Sequence, residues 1–219
     1  MPQPPRPPPS RRLHKLYAIV DVDTCARAQR APLDVSRAFL SAGVRCLQLR
    51  AKSWGSGAML ELAAAMVADA TQADALVIVN DRVDVAAICG AHGVHVGQDD
   101  LPPVDARRLV GADAIVGFST HNDAQLHAGL DQPVSYLAVG PVFRTQTKAT
   151  GYGAVGLELV ARASAMAHQK SLPLVAIGGI TLDQAAVVIA AGADAVAVIG
   201  DLLTGDPEAR ARAFLQALL

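Results

Sequence analysis

Eight short apolar runs, spread along almost the whole chain, are the feature that most restricts how this sequence can fold. Each run has four or five residues, nearly all apolar, and stretches rich in alanine and leucine with helical character lie between them. Apolar runs of this length are typical of parallel strands that are covered on both faces. The runs are Leu16–Val20, Cys46–Leu49, Ala75–Val79, Gly93–Val96, Ala114–Phe118, Tyr136–Val139, Leu174–Ile177 and Ala195–Ile199.

A chain of eight strand-then-helix units predicts an α/β fold with a single closed (β/α)8 TIM barrel. An open doubly wound sheet is the alternative. Such a sheet usually carries a glycine-rich phosphate loop after its first strand, whereas here the residues after Val20 read Asp-Val-Asp-Thr. We therefore expect one catalytic barrel domain over residues 13–219. Residues 1–12 are rich in proline and have little apolar surface to bury, so they are predicted to form a disordered tail.

Charge and composition exclude several classes of partner. The 219 residues carry a formal net charge of −1, so the chain lacks the excess of positive charge that is typical of proteins that bind nucleic acid. No apolar run approaches the roughly 20 residues that a membrane helix needs. The three cysteines form no CxxC pair, which favours reduced thiols in a cytoplasmic protein. Small molecules are the expected partners, and a homo-oligomer is compatible with the sequence.

Acidic residues follow two neighbouring predicted strands. Asp81 comes after the third strand and Asp100 after the fourth, and neighbouring strands lie about 4.8 Å apart. Both carboxylates could therefore face one point, as Mg²⁺ requires when one or two carboxylates and substrate phosphates hold it. The structural alternative is that each acid caps the helix after it. Asp99 competes with Asp100 for the metal role, and spacing alone does not choose between them.

The segment QLRAK places three polar side chains on alternate residues of the second strand. Gln48, Arg50 and Lys52 would share the face that points into the barrel or its mouth, with the leucines towards the helices. A guanidinium in that position must meet an anion. The anion is either a protein carboxylate, with Asp81 the candidate, or a diphosphate that Arg50 clamps.

A second anion site is predicted across the barrel mouth. The loop over residues 140–153 carries Thr145, Thr147 and Lys148, whose hydroxyls and ammonium suit phosphate oxygens, although an ordinary mobile loop has the same composition. Barrel enzymes often bind phosphate between the loops after strands seven and eight, where this chain has Gly179 and Gly200. Two separate anion sites imply two phosphorylated reactants or one long bisphosphate.

Two histidines fall near these predicted sites. His95 lies within the fourth strand, where a buried and hydrogen-bonded core imidazole is expected. His121 follows Ser119 at the rim, within reach of a substrate.

Six motifs, in order, make the chain similar to the thiamine-phosphate synthase family from about Leu16 to Leu203. They are QLRAK, VNDRVDVA, GVHVGQDD, VGFSTH, GPVFRTQTK and AIGGI. The family fold is a (β/α)8 barrel, in agreement with the strand count. The resemblance implies a transferase that joins hydroxymethylpyrimidine diphosphate to a thiazole phosphate, forming thiamine phosphate and releasing diphosphate.

The resemblance also implies a role for each matching residue. Mg²⁺ is expected on Asp81 and Asp100, which decides against Asp99. Diphosphate can leave before the thiazole nitrogen attacks, because the amino-substituted pyrimidine stabilises a positive methylene. No protein nucleophile is then needed. The expected catalytic residues are Arg50, Lys52, Lys148 and Ser119; the other expected substrate contacts are Gln48, Asn80, Thr145, Thr147, Gly179, Ile199 and Gly200.

The chain departs from the family pattern at Gly200, where the family usually has a serine whose hydroxyl and backbone N–H meet the thiazole phosphate. Only the hydroxyl is lost here. The related thiazole tautomerase has a histidine at the position of Pro141 and lacks the metal acids, so Pro141 and Asp81 argue against that isomerase. A non-catalytic phosphate-binding barrel is a third interpretation, against which Asp81, Asp100 and Lys148 argue.

Overall fold

The chain folds into a closed barrel of eight parallel strands, seen in a computed structural model that describes residues 13–144 and 152–219. Each strand pairs with the next one in the chain, and the last closes on the first. The predicted (β/α)8 barrel is therefore confirmed, while the predicted tail, residues 1–12, lies outside the described residues. The strands are β1 (Leu16–Asp21), β2 (Cys46–Arg50), β3 (Leu76–Asn80), β4 (Gly93–Val96), β5 (Ile115–Thr120), β6 (Tyr136–Val139), β7 (Leu174–Ile177) and β8 (Ala195–Val198).

Helices connect the strands and cover the outside of the barrel. A side chain caps the N-terminus of several of them: Asp21 accepts a hydrogen bond from the Thr24 amide, and Asn122 accepts one from the Gln125 amide. None of the helices in the described ranges is both long and apolar enough to span a bilayer. The helices are α1 (Val22–Arg27), α2 (Pro32–Ala42), α3 (Ser56–Gln72), α4 (Val83–Cys89), α5 (Pro103–Val110), α6 (Asp123–Leu130), α7 (Gly156–Gln169), α8 (Leu182–Ala190) and α9 (Pro207–Ala217), with a 3₁₀ helix at Gly200–Leu203.

Alternate residues of each strand enter two separate apolar layers. On β2, Leu47 and Leu49 pack in the layer between the strands and the helices, whereas Cys46 packs in the layer inside the barrel. Gln48 is buried on the inner side, against Tyr17. This alternation confirms the prediction that the leucines of QLRAK face the helices and Gln48 faces inwards.

Gly117 on β5 makes room for two large side chains inside the barrel. A Cβ at this position would lie 2.1 Å from Cζ of Tyr136 and 2.5 Å from Nδ1 of His95, much closer than atoms can approach. Tyr136 and His95 stack beside this glycine, with ring centroids 5.5 Å apart. The absence of a side chain at Gly117 is therefore a packing requirement of the barrel interior.

Gly117→Ala is expected to destabilise the barrel by about 1–3 kcal/mol or more, because the added methyl overlaps a buried ring. Gly57→Ala is the matched control, since Gly57 lies in α3 and nothing lies within 4 Å of its added Cβ. The control should stay within about 1 kcal/mol of the wild type or gain stability. Urea unfolding of both variants measures this, and equal midpoints would contradict the packing role of Gly117.

Candidate active site

The carboxyl ends of the strands bring the predicted polar residues together at one rim. Gln48 and Arg50 come from β2, Asn80 ends β3, and Ser119 lies near the end of β5. All four line a small cavity of about 20 Å³ over the barrel interior, together with Ile199. The strand count and the direction of the strands were sufficient to predict this convergence.

Asp81 and Asp100 lie close enough to interact, beside Lys52. The pKa of the Asp81 carboxyl is raised, first by burial and next by the hydrogen-bonded Asp100 carboxyl, while Lys52 acts in the opposite direction. Lys52 forms an ion pair with Asp81 through Nζ and Oδ2. Asp100 accepts a hydrogen bond from the Gly97 amide at 2.8 Å. Two carboxylates that repel one another in a partly buried place form a centre of negative charge that suits a hard cation.

Neither acid caps a helix, so the structural alternative for this pair is wrong. The N-cap residues are Arg82 for α4 and Pro102 for α5, and neither helix receives a side-chain capping bond. Asp81 instead has a left-handed backbone with φ of 62°, and its amide donates to the His95 carbonyl at 2.8 Å. This backbone hydrogen bond joins the end of β3 to β4, and the Asp81 side chain lies next to that of Asp100.

The donor set at this point fits Mg²⁺ when substrate completes it. Carboxylate oxygens are hard ligands, and Mg²⁺ is commonly held by one or two of them with phosphate oxygens and water. Within residues 13–144 and 152–219, no group of three or more His, Cys, Asp or Glu side chains is arranged to hold a metal by itself. Asp81 and Asp100 would therefore share the ion with a phosphorylated ligand.

Arg50 pairs with Asp21, so of the two alternatives that the sequence left open the pair with Asp81 is wrong. Its Nη1 donates to Asp21 Oδ2 at 2.5 Å, and the side chains are only 12% and 1% exposed. The two residues are direct neighbours in the register of β1 and β2. The Arg50 Nε is also buried and has no hydrogen-bond partner in the described part of the chain. The guanidinium is thus anchored on one side and retains a donor.

Asp21 was missed as a functional residue, although a signal existed. It also accepts hydrogen bonds from the amide and hydroxyl of Thr24, at 2.8 and 2.6 Å. Aligning the ends of the first two predicted strands would have put its carboxylate beside Arg50. Because Asp21 holds both α1 and Arg50, it is a positioning residue of the rim.

A larger cavity of about 350 Å³ opens at the ends of β5 to β8. The predicted residues Gly179, Ile199 and Gly200 line it, and so does His121. His121 is held by a contact of 2.5 Å between its Nδ1 and the Gly140 carbonyl. Predicted residues Thr145, Thr147 and Lys148 lie outside the described residues.

Two charged residues that were not predicted also line the larger cavity. The negative charge of Asp201 is compensated within the protein, since its Oδ2 accepts hydrogen bonds from Arg210 at 2.7 Å and from the Leu182 amide at 3.0 Å. Arg144 is an exposed residue among those that line the cavity, and its backbone carbonyl lies beside Gly179. It stands directly before Thr145 in GPVFRTQTK, a position that could have been read from the sequence. The lining of the cavity therefore includes a basic residue as well as the glycine loops after β7 and β8.

The glycines of AIGGI have a packing reason in addition to any ligand. Gly178 and Gly179 have φ of 102° and 67°, a backbone that favours glycine. A Cβ on Gly178 would lie 2.5 Å from Pro141 Cα, and one on Gly179 would lie 2.5 Å from the Arg144 carbonyl oxygen. The loops after β6 and β7 can therefore approach closely. Gly200, in contrast, begins a 3₁₀ helix, in which φ is negative.

The two cavities adjoin at shared residues. Ser119, Ala138, Ile177, Ala197 and Ile199 line both of them. Molecules bound in the two cavities would therefore meet near Ser119. The arrangement suits a reaction between two anionic reactants, one held on the side of Arg50, Lys52 and the acids, and the other beside the glycine loops.

Comparisons with known proteins show the family to which the chain is similar. A family model described as thiamine monophosphate synthase matches residues 16–202. The chain is 44% identical over 210 residues to a thiamine-phosphate synthase of Koribacter versatilis, covering 94% of this chain and 97% of the relative. It is 40% identical over 200 residues to one of Laribacter hongkongensis, covering 91% and 92%. A solved thiamine phosphate pyrophosphorylase from Pyrococcus furiosus superposes with a TM-score of 0.82 at 29% identity, covering 93% and 95%.

Asp21→Asn is expected to lower stability by about 3–5 kcal/mol, because it leaves the buried Arg50 without a counter-charge. Asp123→Asn is the control, since its pair with Arg162 is about half exposed on both sides and should contribute less than about 1 kcal/mol. Thermal unfolding compares the two variants. If both variants lost the same small amount of stability, Asp21 would not be the residue that holds Arg50 in place.

Proposed function

The chain belongs to the thiamine monophosphate synthase family and is a transferase of thiamine biosynthesis that forms thiamine phosphate. We propose that each of its two cavities binds one of the two reactants. One reactant, hydroxymethylpyrimidine diphosphate, binds over the smaller cavity. The other, a thiazole phosphate, binds in the larger one. The observation that carries this assignment is that Arg50 and Asn80 line the smaller cavity, with Asn80 directly before Asp81 of the acidic pair, whereas the glycine loops after β7 and β8 line the larger one.

Arg50 and Lys52 receive the diphosphate in this proposal. Arg50 is held by Asp21 in a fixed orientation at the wall of the smaller cavity, which suits a charge-assisted hydrogen bond to phosphate. Lys52 is half exposed and paired with Asp81, so its ammonium lies between the acid and the mouth of the barrel. Lys148, on the loop after β6, adds a third cation. Asn80 and Gln48 contact the pyrimidine side.

Mg²⁺ is the proposed cofactor, held by Asp81 and Asp100 together with the diphosphate. When bound, the ion would neutralise charge that develops on the leaving group. The pKa of Asp81 is raised first by burial and next by the Asp100 carboxyl, and a divalent cation would relieve the cost of holding both carboxylates charged there. Lys52 balances part of that charge in the free protein.

The remaining residues orient the reactants and keep water out. Ile177, Ile199 and Ala197 give the shared wall of the two cavities an apolar surface. An apolar wall protects a positive methylene from water while the thiazole nitrogen approaches. Ser119 stands where the two cavities join, next to the reacting atoms. The fixed positions of the two reactants, rather than a protein nucleophile, supply the rate enhancement.

The thiazole phosphate is proposed to bind among the loops after β6, β7 and β8. Gly179 allows a close approach of backbone amides, and Gly200 offers its N–H at the start of the 3₁₀ helix. Thr145 and Thr147 supply hydroxyls in this proposal. Arg144 adds a charged contact that stands in for the serine hydroxyl absent at Gly200.

A coupled assay tests the proposed function. Purified protein is mixed with both phosphorylated precursors and Mg²⁺, and thiamine phosphate and diphosphate are measured together. Equal amounts of the two products are expected, with none when either precursor is omitted. Absence of both products would leave a non-catalytic phosphate-binding barrel as the interpretation.

A cytoplasmic location is part of the proposal. Cys25, Cys46 and Cys89 are free thiols, and Cys25 and Cys46 are buried. Thiols that remain reduced are usual in the cytoplasm.

Asp81→Asn and Asp100→Asn are each expected to lower turnover at limiting Mg²⁺ by more than about 10–100-fold, the loss found even for residues that only support a metal ligand. Asp99→Asn is the control, because Asp99 is an exposed neighbour of Asp100. A second readout is the rise in melting temperature when Mg²⁺ and diphosphate are added, which both ligand variants should lose. Normal Mg²⁺ dependence in both would overturn the metal assignment.

Gly200→Ser should strengthen thiazole-phosphate binding by up to about tenfold, since a hydroxyl bonded to a phosphate contributes roughly 1.5 kcal/mol. Backbone strain does not oppose the change, because a 3₁₀ helix has negative φ. Arg144→Gln should have the opposite effect on the KM for thiazole phosphate. Both variants should leave the KM for the pyrimidine diphosphate nearly unchanged. Unaltered thiazole-phosphate affinity in both would place that phosphate elsewhere.

A further inference from the structure

Five hydrogen-bonded side chains cross the inside of the barrel beneath the two cavities. Gln48 Nε2 donates to the Tyr17 hydroxyl at 2.8 Å, and that hydroxyl lies 3.1 Å from the hydroxyl of Tyr136. The Tyr136 hydroxyl is 2.8 Å from His95 Nδ1, and His95 Nε2 is 2.8 Å from Ser119 Oγ. We call these five residues the interior network. Its two ends, Gln48 and Ser119, both line the smaller cavity, over which the pyrimidine diphosphate is proposed to bind.

The interior network is shielded from water along its whole length. Tyr17 and Tyr136 are 1% and 0% exposed, and the other three members are at most 7% exposed. Burial is the main cause of a raised pKa at both phenols, so each keeps its proton at neutral pH. Every member can therefore act as a hydrogen-bond donor, and the direction of each bond has to be decided.

With the Gln48 nitrogen directed to Tyr17, one direction satisfies all the buried protons. The Tyr17 oxygen accepts from Gln48, so its own proton is left to donate to the Tyr136 oxygen. Tyr136 then donates to His95 Nδ1. A neutral imidazole carries one N–H, so His95 is protonated on Nε2 and donates to Ser119. The hydroxyl proton of Ser119 is left to point elsewhere.

The opposite direction leaves a buried proton without an acceptor. If Ser119 donated to His95 Nε2, then His95 would donate to Tyr136, and Tyr136 to Tyr17. The Tyr17 oxygen would accept twice, while its own proton faced the Gln48 amide nitrogen, which is a donor. An unsatisfied buried donor costs about 1–3 kcal/mol. That direction would need the Gln48 amide to be turned over as well.

We infer that the interior network fixes the polarity of the pyrimidine subsite: Tyr17, Tyr136 and His95 are positioning residues that make Ser119 a hydrogen-bond donor towards the ligand. The same direction turns the Gln48 nitrogen to Tyr17 and leaves its carbonyl oxygen as the acceptor. The subsite therefore selects a heterocycle that presents a ring-nitrogen acceptor to Ser119 and an amino donor to Gln48. A hydroxypyrimidine, with the reverse pattern, would be rejected. This inference rests on the proposed function.

Nitrogen NMR of the wild-type protein tests the direction without any substrate. With ¹⁵N-labelled histidine and a His95→Gln sample for assignment, the His95 Nε2 shift should be that of a protonated nitrogen and the Nδ1 shift that of an unprotonated one. Protonation on Nδ1, or on both nitrogens, would overturn the proposal. The measurement is independent of turnover, so its failure and the failure of the proposed function are distinguishable.

Two tyrosine variants test the coupling to the ligand. Tyr136→Phe removes the donor to His95 Nδ1, so the His95 proton should no longer be confined to Nε2. Tyr17→Phe leaves Tyr136 able to donate, so the His95 proton should stay on Nε2. Tyr136→Phe should raise the KM for the pyrimidine diphosphate by about tenfold, the loss of one hydrogen bond, with little change for the thiazole phosphate. Melting temperatures identify any variant that is poorly folded, for which the wild-type NMR result stands alone.

The effect of Tyr136 must pass through Ser119. In a Ser119→Ala background, Tyr136→Phe should therefore change the KM for the pyrimidine diphosphate by less than about threefold, since coupled residues are not additive. A full additional tenfold loss in that background would overturn the proposal, because Tyr136 would then act by packing alone. Equal turnover of the amino- and hydroxypyrimidine diphosphates by the wild type would also overturn it.

Discussion

Closure of β8 onto β1 is the constraint on which the rest of this structure depends. The helix after each strand returns the chain so that all eight strands run in one direction, and closure gathers their carboxyl ends at one rim. The register that follows puts Asp21 of β1 beside Arg50 of β2. It also sends alternate side chains inwards, which gives Tyr17 and Tyr136 a place inside the barrel. The ion pair at the rim and the hydrogen-bonded tyrosines inside the barrel therefore both follow from the topology of the sheet.

Charge at the rim is partly balanced before any ligand binds. The largely buried Arg50 is compensated by Asp21, and Lys52 compensates Asp81 in part. Burial, and next the Asp100 carboxyl, act against that second balance by raising the pKa of Asp81. An anchored guanidinium suits a rigid phosphate contact, while an incompletely balanced pair of acids suits a cation. The two halves of the proposed diphosphate site thus differ in how their charge is satisfied.

The interior network relates the barrel core to the ligand. A barrel filled only with apolar side chains would be simpler to pack, yet this one carries buried hydroxyl, amide and imidazole groups whose bonds are mutually satisfied. Gly117 provides the space for it beside Tyr136 and His95. Since each bond of the network sets the direction of the next, the core can impose a donor and an acceptor pattern on the cavity floor.

The sequence by itself determined the barrel, the converging acids and the inward direction of Gln48, because these depend on strand periodicity and on the common direction of parallel strands. Only the tertiary structure decided the partner of Arg50. Asp21 ends β1 and Asp81 directly follows β3, and these are the two strands beside β2; the register of the sheet puts Asp21 opposite Arg50. It also decided that Asp81 and Asp100 leave their helices uncapped, and that Arg144 lines the larger cavity. Such outcomes depend on distances between segments far apart in the chain, which local residue patterns do not contain.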